Sequence, residues 1–243
     1  MKNNKGGYFG KILHVDLSSK KIWTEQIDDE FAEQYIGGRG FAAKLIWDNL
    51  QKEGQFDPLG EKNLLVIAPG PLTGVYLPSS GKNSFATISP ATGIYGDSSI
   101  GGGFGVEIRQ AGYDAIAIKG KMEELCYLFI DNDQVNIVEC PELAGKGNLE
   151  TEGRIRDNLG DHDIRVASIG LAGENLVRFA CITSDWSRNA GRCGIGAVMG
   201  SKNLKAIAVR GDRDLPVDDL KRVEEISNQA YRELSEHKMM DFW

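Results

Sequence analysis

The segment Ala190–Gly211, AGRCGIGAVMGSKNLKAIAVRG, falls without a gap on Ser99–Gly120, SIGGGFGVEIRQAGYDAIAIKG, when slid by 91 residues (190 − 99). Gly103 meets Gly194, Gly105 meets Gly196, Phe104 meets Ile195 and Ile108 meets Met199. Ala115–Gly120 meets Ala206–Gly211 in the same register. Each copy reads as Gly-rich loop, short helix, turn, buried strand, basic residue, glycine. A repeat governs the architecture of everything around it.

Physically, each copy has the makings of an anion site. Clustered glycines let the backbone approach a ligand closely. A helix starts directly after them, with free N–H groups and the positive end of its dipole, and that pairing suits phosphate. The second copy adds Arg188 and Arg192 beside the loop, where the first has only Asp97. Two such loops facing each other would hold two phosphates, with a divalent ion between them. The same glycines also suit tight helix–sheet packing, and a Gly-rich loop by itself leaves both readings open.

The 243 residues are 41% hydrophobic and 26% charged, ordinary for a globular protein with a substantial core. A net charge of −7 argues against a general nucleic-acid binder. The 30 glycines exceed the usual share of roughly 7% and cluster between apolar runs, as loops rather than low complexity. No apolar run is long enough for a membrane helix. The start, MKNNKGGYFG, is too polar for a signal peptide, so a cytoplasmic protein without membrane or nucleic-acid partners is expected. Cys126, Cys140, Cys181 and Cys193 show no CxxC pair and are expected as free thiols. His14, His162 and His237 stand alone and read as structural or surface residues.

Around the repeat, Lys11–Ile27 reads as a hairpin, followed by helices at 31–36 and 41–50 separated by Gly37–Gly40. Arg39 in that glycine setting is either an anion contact or a surface residue. Strands are expected at 64–68, 84–89 and 115–119, with a turn-rich exit at Pro69–Gly74 and Ile94–Ser99 leading into the first Gly-rich loop. A second hairpin, at 127–139, then starts the order again. It continues with a helix at 148–159, a strand at 164–169, the turn Gly170–Gly173 and a strand at 177–183. The order predicts an α+β fold, an internally duplicated domain of two mostly antiparallel β-sheets with short helices, repeating over about 5–120 and 121–211. After Gly211 a linker leads to an amphipathic helix at 217–237, with Leu220, Val223, Ile226 and Tyr231 as its stripe. Lys238–Trp243 then reads as the opening of another domain.

Four separated blocks resemble the N-terminal domain of the tungsten-dependent aldehyde ferredoxin oxidoreductases. They are Ala68–Gly74 (APGPLTG), Ala111–Ile116 (AGYDAI), Ile169–Asn175 (IGLAGEN) and Ala190–Ala206 (AGRCGIGAVMGSKNLKA). The resemblance covers about residues 5–213. It implies a saddle-like cradle for a bis-pterin cofactor carrying tungsten or molybdenum, with the pterin phosphates bridged by magnesium. Motif matching places the magnesium-binding main-chain carbonyls on Ser99 and Asn189. It places Gly101, Gly102, Arg188 and Gly191 along the phosphates and pterin. Magnesium suits the role because it prefers oxygen ligands and bridges phosphates.

Two departures accompany the resemblance. Relatives often carry an arginine where Lys82 stands, in SSGKN; lysine keeps the charge and loses the planar fork. Ser99 replaces an amide residue, a small change if its carbonyl does the work. The cysteines of the family's 4Fe-4S cluster, its acid–base residues and its substrate pocket belong to later helical domains, so no catalytic residue is assigned here. The resemblance thus implies 1–213 as the cofactor-binding domain and 214–243 as a linker with the first helix of a following helical part. The full enzyme would oxidise aldehydes to carboxylic acids with ferredoxin as electron acceptor, the rest coming from C-terminal domains or a separate chain, in a homo-oligomer such as a homodimer. This chain alone would be inactive. The competing reading is a non-catalytic pterin-phosphate-binding or dimerisation module, or a relative acting on another carbonyl or acyl substrate.

Overall fold

The computed structural model describes residues 6–237. The expected domain opening at Lys238–Trp243 and the first five residues lie outside the described residues.

The first hairpin forms as expected, from Lys11–Asp16 (β1) and Lys21–Gln26 (β2). Helix α1, Asp29–Tyr35, starts where the Asp28 carboxylate accepts the amide of Phe31 at 2.8 Å. Helix α2 runs over Arg39–Glu53, so Arg39 opens the helix. Strands β3 (Leu65–Pro69), β4 (Asn83–Ile88) and β5 (Tyr95–Ile100), helix α3 (Phe104–Gln110) and strand β6 (Ala115–Lys119) complete the first half.

The second half repeats this with β7 (Cys126–Asp131), β8 (Gln134–Glu139), α4 (Asn148–Leu159), β9 (Arg165–Ser168), α5 (Leu171–Glu174), β10 (Ile182–Ser184), β11 (Arg188–Ala190), α6 (Ile195–Ser201) and β12 (Leu204–Arg210). Helices α3 and α6 start 91 residues apart (195 − 104) and end 91 apart (201 − 110), the register read from the sequence.

Each half contributes one six-stranded sheet, and the two sheets share one topology. The first runs β2-β1-β6-β3-β4-β5; the second, read the same way, runs β8-β7-β12-β9-β10-β11. In each, the single parallel pair joins the hairpin to the last strand, β1 to β6 and β7 to β12; the other neighbours are antiparallel. The duplicated, mostly antiparallel α+β architecture is therefore correct.

Strand alternation sets the layers. In β6, Ile116 and Ile118 face a central core while Ala115 and Ala117 face outward under Phe41, Leu45 and Ile46 of α2. In β12, Ile207 and Val209 face the same central core while Ala206 and Ala208 face Ile155 of α4. Helices α3 and α6 lie in the central core, with Phe104, Ile108, Ile195, Val198 and Met199 fully buried. The small outward alanines leave room for the covering helices, and the large inward residues fill the space between the sheets.

Three expectations change. The strand expected at 177–183 is reduced to β10, because 171–181 first takes the helical turn of α5 and then loops back. The Gly170–Gly173 turn is thus mostly helical. The terminal helix α7 spans Leu220–Ser235, capped by the Asp219 carboxylate on the amide of Arg222 at 2.9 Å.

Candidate anion-binding site

Strands β5 and β11 are the edges of their sheets, and their Cα atoms approach within 8 Å of each other. The two Gly-rich loops leave from these edges. An edge strand keeps one row of N–H and C=O groups unpaired, and Ser99 lies on β5 and Asn189 on β11. Both residues are exposed. The Asn189 side chain is partly used: its oxygen accepts from Thr183 Oγ1 at 2.7 Å and its nitrogen donates to the Ser187 carbonyl at 2.8 Å. One N–H of Nδ2 stays free of protein partners among the described residues.

Lys82, Gly101, Gly102 and Arg188 come together. A Cβ built on Gly101 would lie 3.7 Å from Nη1 of Arg188 and 3.9 Å from Cε of Lys82. Gly102 is left-handed at φ +112°, and a Cβ there would lie 2.9 Å from Cδ of Arg188 and collide with the Asp185 carboxylate. Lys82 and Arg188 come from different halves, are exposed, and form no ion pair among the described residues. Gly191 is exposed too, with open space where a side chain would be. Arg192 donates its amide to Ser98 Oγ at 3.3 Å, which ties the second loop to β5.

At this edge the two halves differ in charge. Asp97 occupies the place of Arg188 (188 − 91), and its carboxylate meets Nε of Arg39 at 2.5 Å. The Arg39 guanidinium therefore has a protein partner. Burial, with the Asp97 charge adding to it, pushes the neighbouring Tyr95 phenol up to about 12.

Protein acceptors already occupy some amides at both helix N-termini. The Asp185 carboxylate accepts the amides of Gly103 at 2.9 Å and Phe104 at 3.2 Å, and Arg165 stands 3.5 Å away. At α6, the Gly196 amide donates to the Ala180 carbonyl at 3.0 Å. The sequence pattern leaves these amides open either to phosphate or to tight packing. The structure gives them protein acceptors and leaves the lysine, the arginine and the outer glycines for a ligand. Asp185 and Arg165 went unnoticed in the sequence, because an aspartate in a turn reads simply as a turn residue.

The donor set fits a cofactor carrying phosphates. It offers two unpaired cations and glycine peptides beside two sheet edges, and the nearby carboxylates Asp185 and Asp97 are already bonded within the protein. The buried Asn83 side chain, next to Lys82, has neither its oxygen nor its nitrogen bonded by protein. No cluster of three or more His, Cys, Asp or Glu side chains is placed to hold a metal among the described residues, so a cation here would depend on carbonyls and ligand oxygens. The four cysteines are free thiols. No helix among the described residues is long and apolar enough to cross a membrane.

The family model described as "Aldehyde ferredoxin oxidoreductase, N-terminal domain" matches residues 12–211. Tungsten-containing aldehyde ferredoxin oxidoreductases are similar to the chain. That of Pyrococcus furiosus is 45% identical over 88% of this chain and 35% of the relative, and that of Thermococcus kodakarensis is 44% identical over the same shares. The WOR-like subunit of an aliphatic sulfonate oxidoreductase from Pyrococcus furiosus is 38% identical over 93% of this chain. A solved structure, the active site complex BamBC of benzoyl coenzyme A reductase with 1,5-dienoyl-CoA, superposes with a TM-score of 0.91 at 38% identity, over 95% of this chain and 35% of that one. The chain thus spans about a third of the length of the relatives it matches.

Proposed function

The chain belongs to the family of aldehyde ferredoxin oxidoreductase N-terminal domains, and on that premise we propose that it forms the cradle of a tungsten or molybdenum bis-pterin cofactor. The observation that carries this reading is the convergence of Lys82 and Arg188, one from each half, over the Gly101–Gly102 peptide. Lys82, Arg188, Gly101, Gly102 and Gly191 would hold the phosphates and the pterin edge. The Ser99 and Asn189 carbonyls would hold the magnesium between the phosphates. When bound, the metal supplies two-electron redox chemistry. The chain's own part is to neutralise phosphate charge, to fix the cofactor's orientation between two rigid sheet edges and to cover one of its faces.

We place the cofactor domain over 1–213 and read 214–243 as the lead into a following helical part. The complete enzyme would pass electrons from an aldehyde through a 4Fe-4S cluster to ferredoxin, with cluster, acid–base groups and substrate pocket in the remaining two-thirds. Cytoplasmic location and a homo-oligomer belong to the same proposal. A second reading keeps the cradle and changes the substrate. Its support is the comparable likeness to an aliphatic sulfonate enzyme and to a benzoyl coenzyme A reductase complex, both at 38% identity. The cradle would then be common equipment, and substrate choice would lie outside it.

The test is metal analysis with released-pterin fluorescence on the chain produced in cells supplied with tungstate and molybdate. Pterin and metal in molar proportion to protein are expected. A folded chain carrying neither would mean that the site requires the remaining domains, and finding neither in the protein assembled with those domains would count against the cradle.

A further inference from the structure

Asp185 stands in the turn between β10 and β11, and both Asp185 (φ 46°) and Trp186 (φ 68°) are left-handed. Aspartate takes this conformation readily, whereas the bulky Trp186 does so rarely, so the turn depends on its surroundings at Trp186. It is held from two sides. From its own half, Glu152 accepts the Trp186 amide at 3.2 Å, and the Arg156 guanidinium lies 4.7 Å over the indole. Glu152 and Arg156 are themselves buried and paired at 2.6 Å. From the other half, the amides of Gly103 and Phe104 close on the Asp185 carboxylate. Three residues after Asp185 comes Arg188, whose Cδ packs against Gly102.

We infer that Asp185 is the positioning residue of the cradle: its carboxylate takes the place of a ligand anion at α3 and thereby sets Arg188 across Gly101 and Gly102. The inference rests on the cofactor reading above for its functional consequence, and on the structure alone for the latch. Two effects follow. The hairpin of one half is pinned to the loop of the other, so Arg188 and Lys82 keep a fixed separation. The inner amides are also spent, so a phosphate is directed outward to Lys82, Arg188 and the outer glycine peptides. The reverse contact exists as well, since Ser89 Oγ in the β4–β5 turn donates to the Cys193 carbonyl at 2.8 Å. Each half's turn therefore grips the other half's loop, once through a carboxylate and once through a hydroxyl.

The experiment compares wild type, Asp185→Ala and Asp185→Asn by amide hydrogen exchange and by titration with inorganic pyrophosphate in the presence of Mg²⁺. In Asp185→Ala the Gly103 and Phe104 amides should exchange at least about tenfold faster, and pyrophosphate affinity should fall by about tenfold. Asp185→Asn keeps a side-chain oxygen acceptor and should retain most of both. A merely structural role would lower stability without separating the two variants in affinity. Should Asp185→Ala not fold, the wild type still decides. Pyrophosphate should move the amide resonances of Gly101 and Gly102 and leave those of Gly103 and Phe104 in place. Displacement at Gly103 and Phe104, or wild-type exchange rates there in Asp185→Ala, would overturn the latch. A wild type that does not bind pyrophosphate would remove the cofactor reading, and with it the consequence for Arg188, while the exchange rates would still decide the latch.

Discussion

Asp114 and Lys205 occupy the same place in the two halves (205 − 114 = 91), and their charges are opposite. Asp114 is buried before β6, where it accepts from the guanidinium of Arg109 and from the amides of Phe9, Gly10 and Lys11 at 3.2, 2.7 and 3.1 Å. Lys205 is buried in β12, where it donates to the Lys146 carbonyl at 2.7 Å and to the Glu174 carboxylate. One repeat position thus ties down each half's neighbouring loop with whichever charge that loop demands.

Asp114→Ala should cost about 3–5 kcal/mol, because it leaves the Arg109 charge buried and three amides without an acceptor. Burial already draws the Arg109 guanidinium down to about 10, a sign of how little water reaches it. Denaturant unfolding measures the loss, and a cost under about 1 kcal/mol would contradict the reading of Asp114 as the anchor of the N-terminal segment.

Lys205→Met should cost less, about 2 kcal/mol, since Glu174 retains 18% exposure and can recover some solvation. The same unfolding experiment, run beside Asp114→Ala, should rank the two in that order. The opposite ranking would mean that solvent reaches Arg109 more freely than its burial indicates.

Lys202 predicts a pH dependence. It reaches from α6's end into the first half and donates to the carbonyl of Asn63 at 2.6 Å. Burial pulls its ammonium down to about 7, against the pull of the Glu61 and Asp16 carboxylates. An unfolded lysine keeps its proton up to about 10.4. Between these values the unfolded chain binds more protons, so Lys202 makes stability rise with pH across that window. The stability of wild type minus that of Lys202→Met should therefore increase from pH 6.5 to pH 10, on the order of 3–5 kcal/mol in all. Cys126 and Cys140, which burial pushes up to about 12, lower stability at high pH in both proteins and cancel in the difference. A flat difference would show that Lys202 keeps its charge when buried.

Gly102→Ala should destabilise by about 1–3 kcal/mol, because alanine is strained at φ +112° and its Cβ would meet both Asp185 and Arg188. Thermal unfolding and pyrophosphate binding should fall together. Weaker binding without a change in stability would place the glycine's role in ligand approach alone.

Much of the fold was legible because the informative patterns are local. The Ile/Ala alternation of β6 and β12 and the bounds of α4 at Asn148 and Leu159 lie within short windows, and the 91-residue register of α3 and α6 emerges from laying two such windows side by side. The parallel pairings of β1 with β6 and β7 with β12 were not legible, since each joins strands about a hundred or fewer residues apart with no local mark of partnership. At the site, glycines and cations announce themselves by type and spacing. The Asp185 carboxylate does not, because its meaning depends on two amides 82 and 81 residues away. Arg39 likewise gave no sign of Asp97, 58 residues on.

If Lys82 and Arg188, one from each half, grip a single phosphate-bearing ligand, removing either must weaken its binding. A double-mutant cycle of Lys82→Ala and Arg188→Ala on Mg²⁺-pyrophosphate binding tests it most directly. Each single variant should lose about tenfold or more in affinity. The double variant should depart from the product of the two single losses, because the side chains share one anion. Wild-type affinity in both single variants, or binding too weak to measure in the wild type itself, would contradict the account.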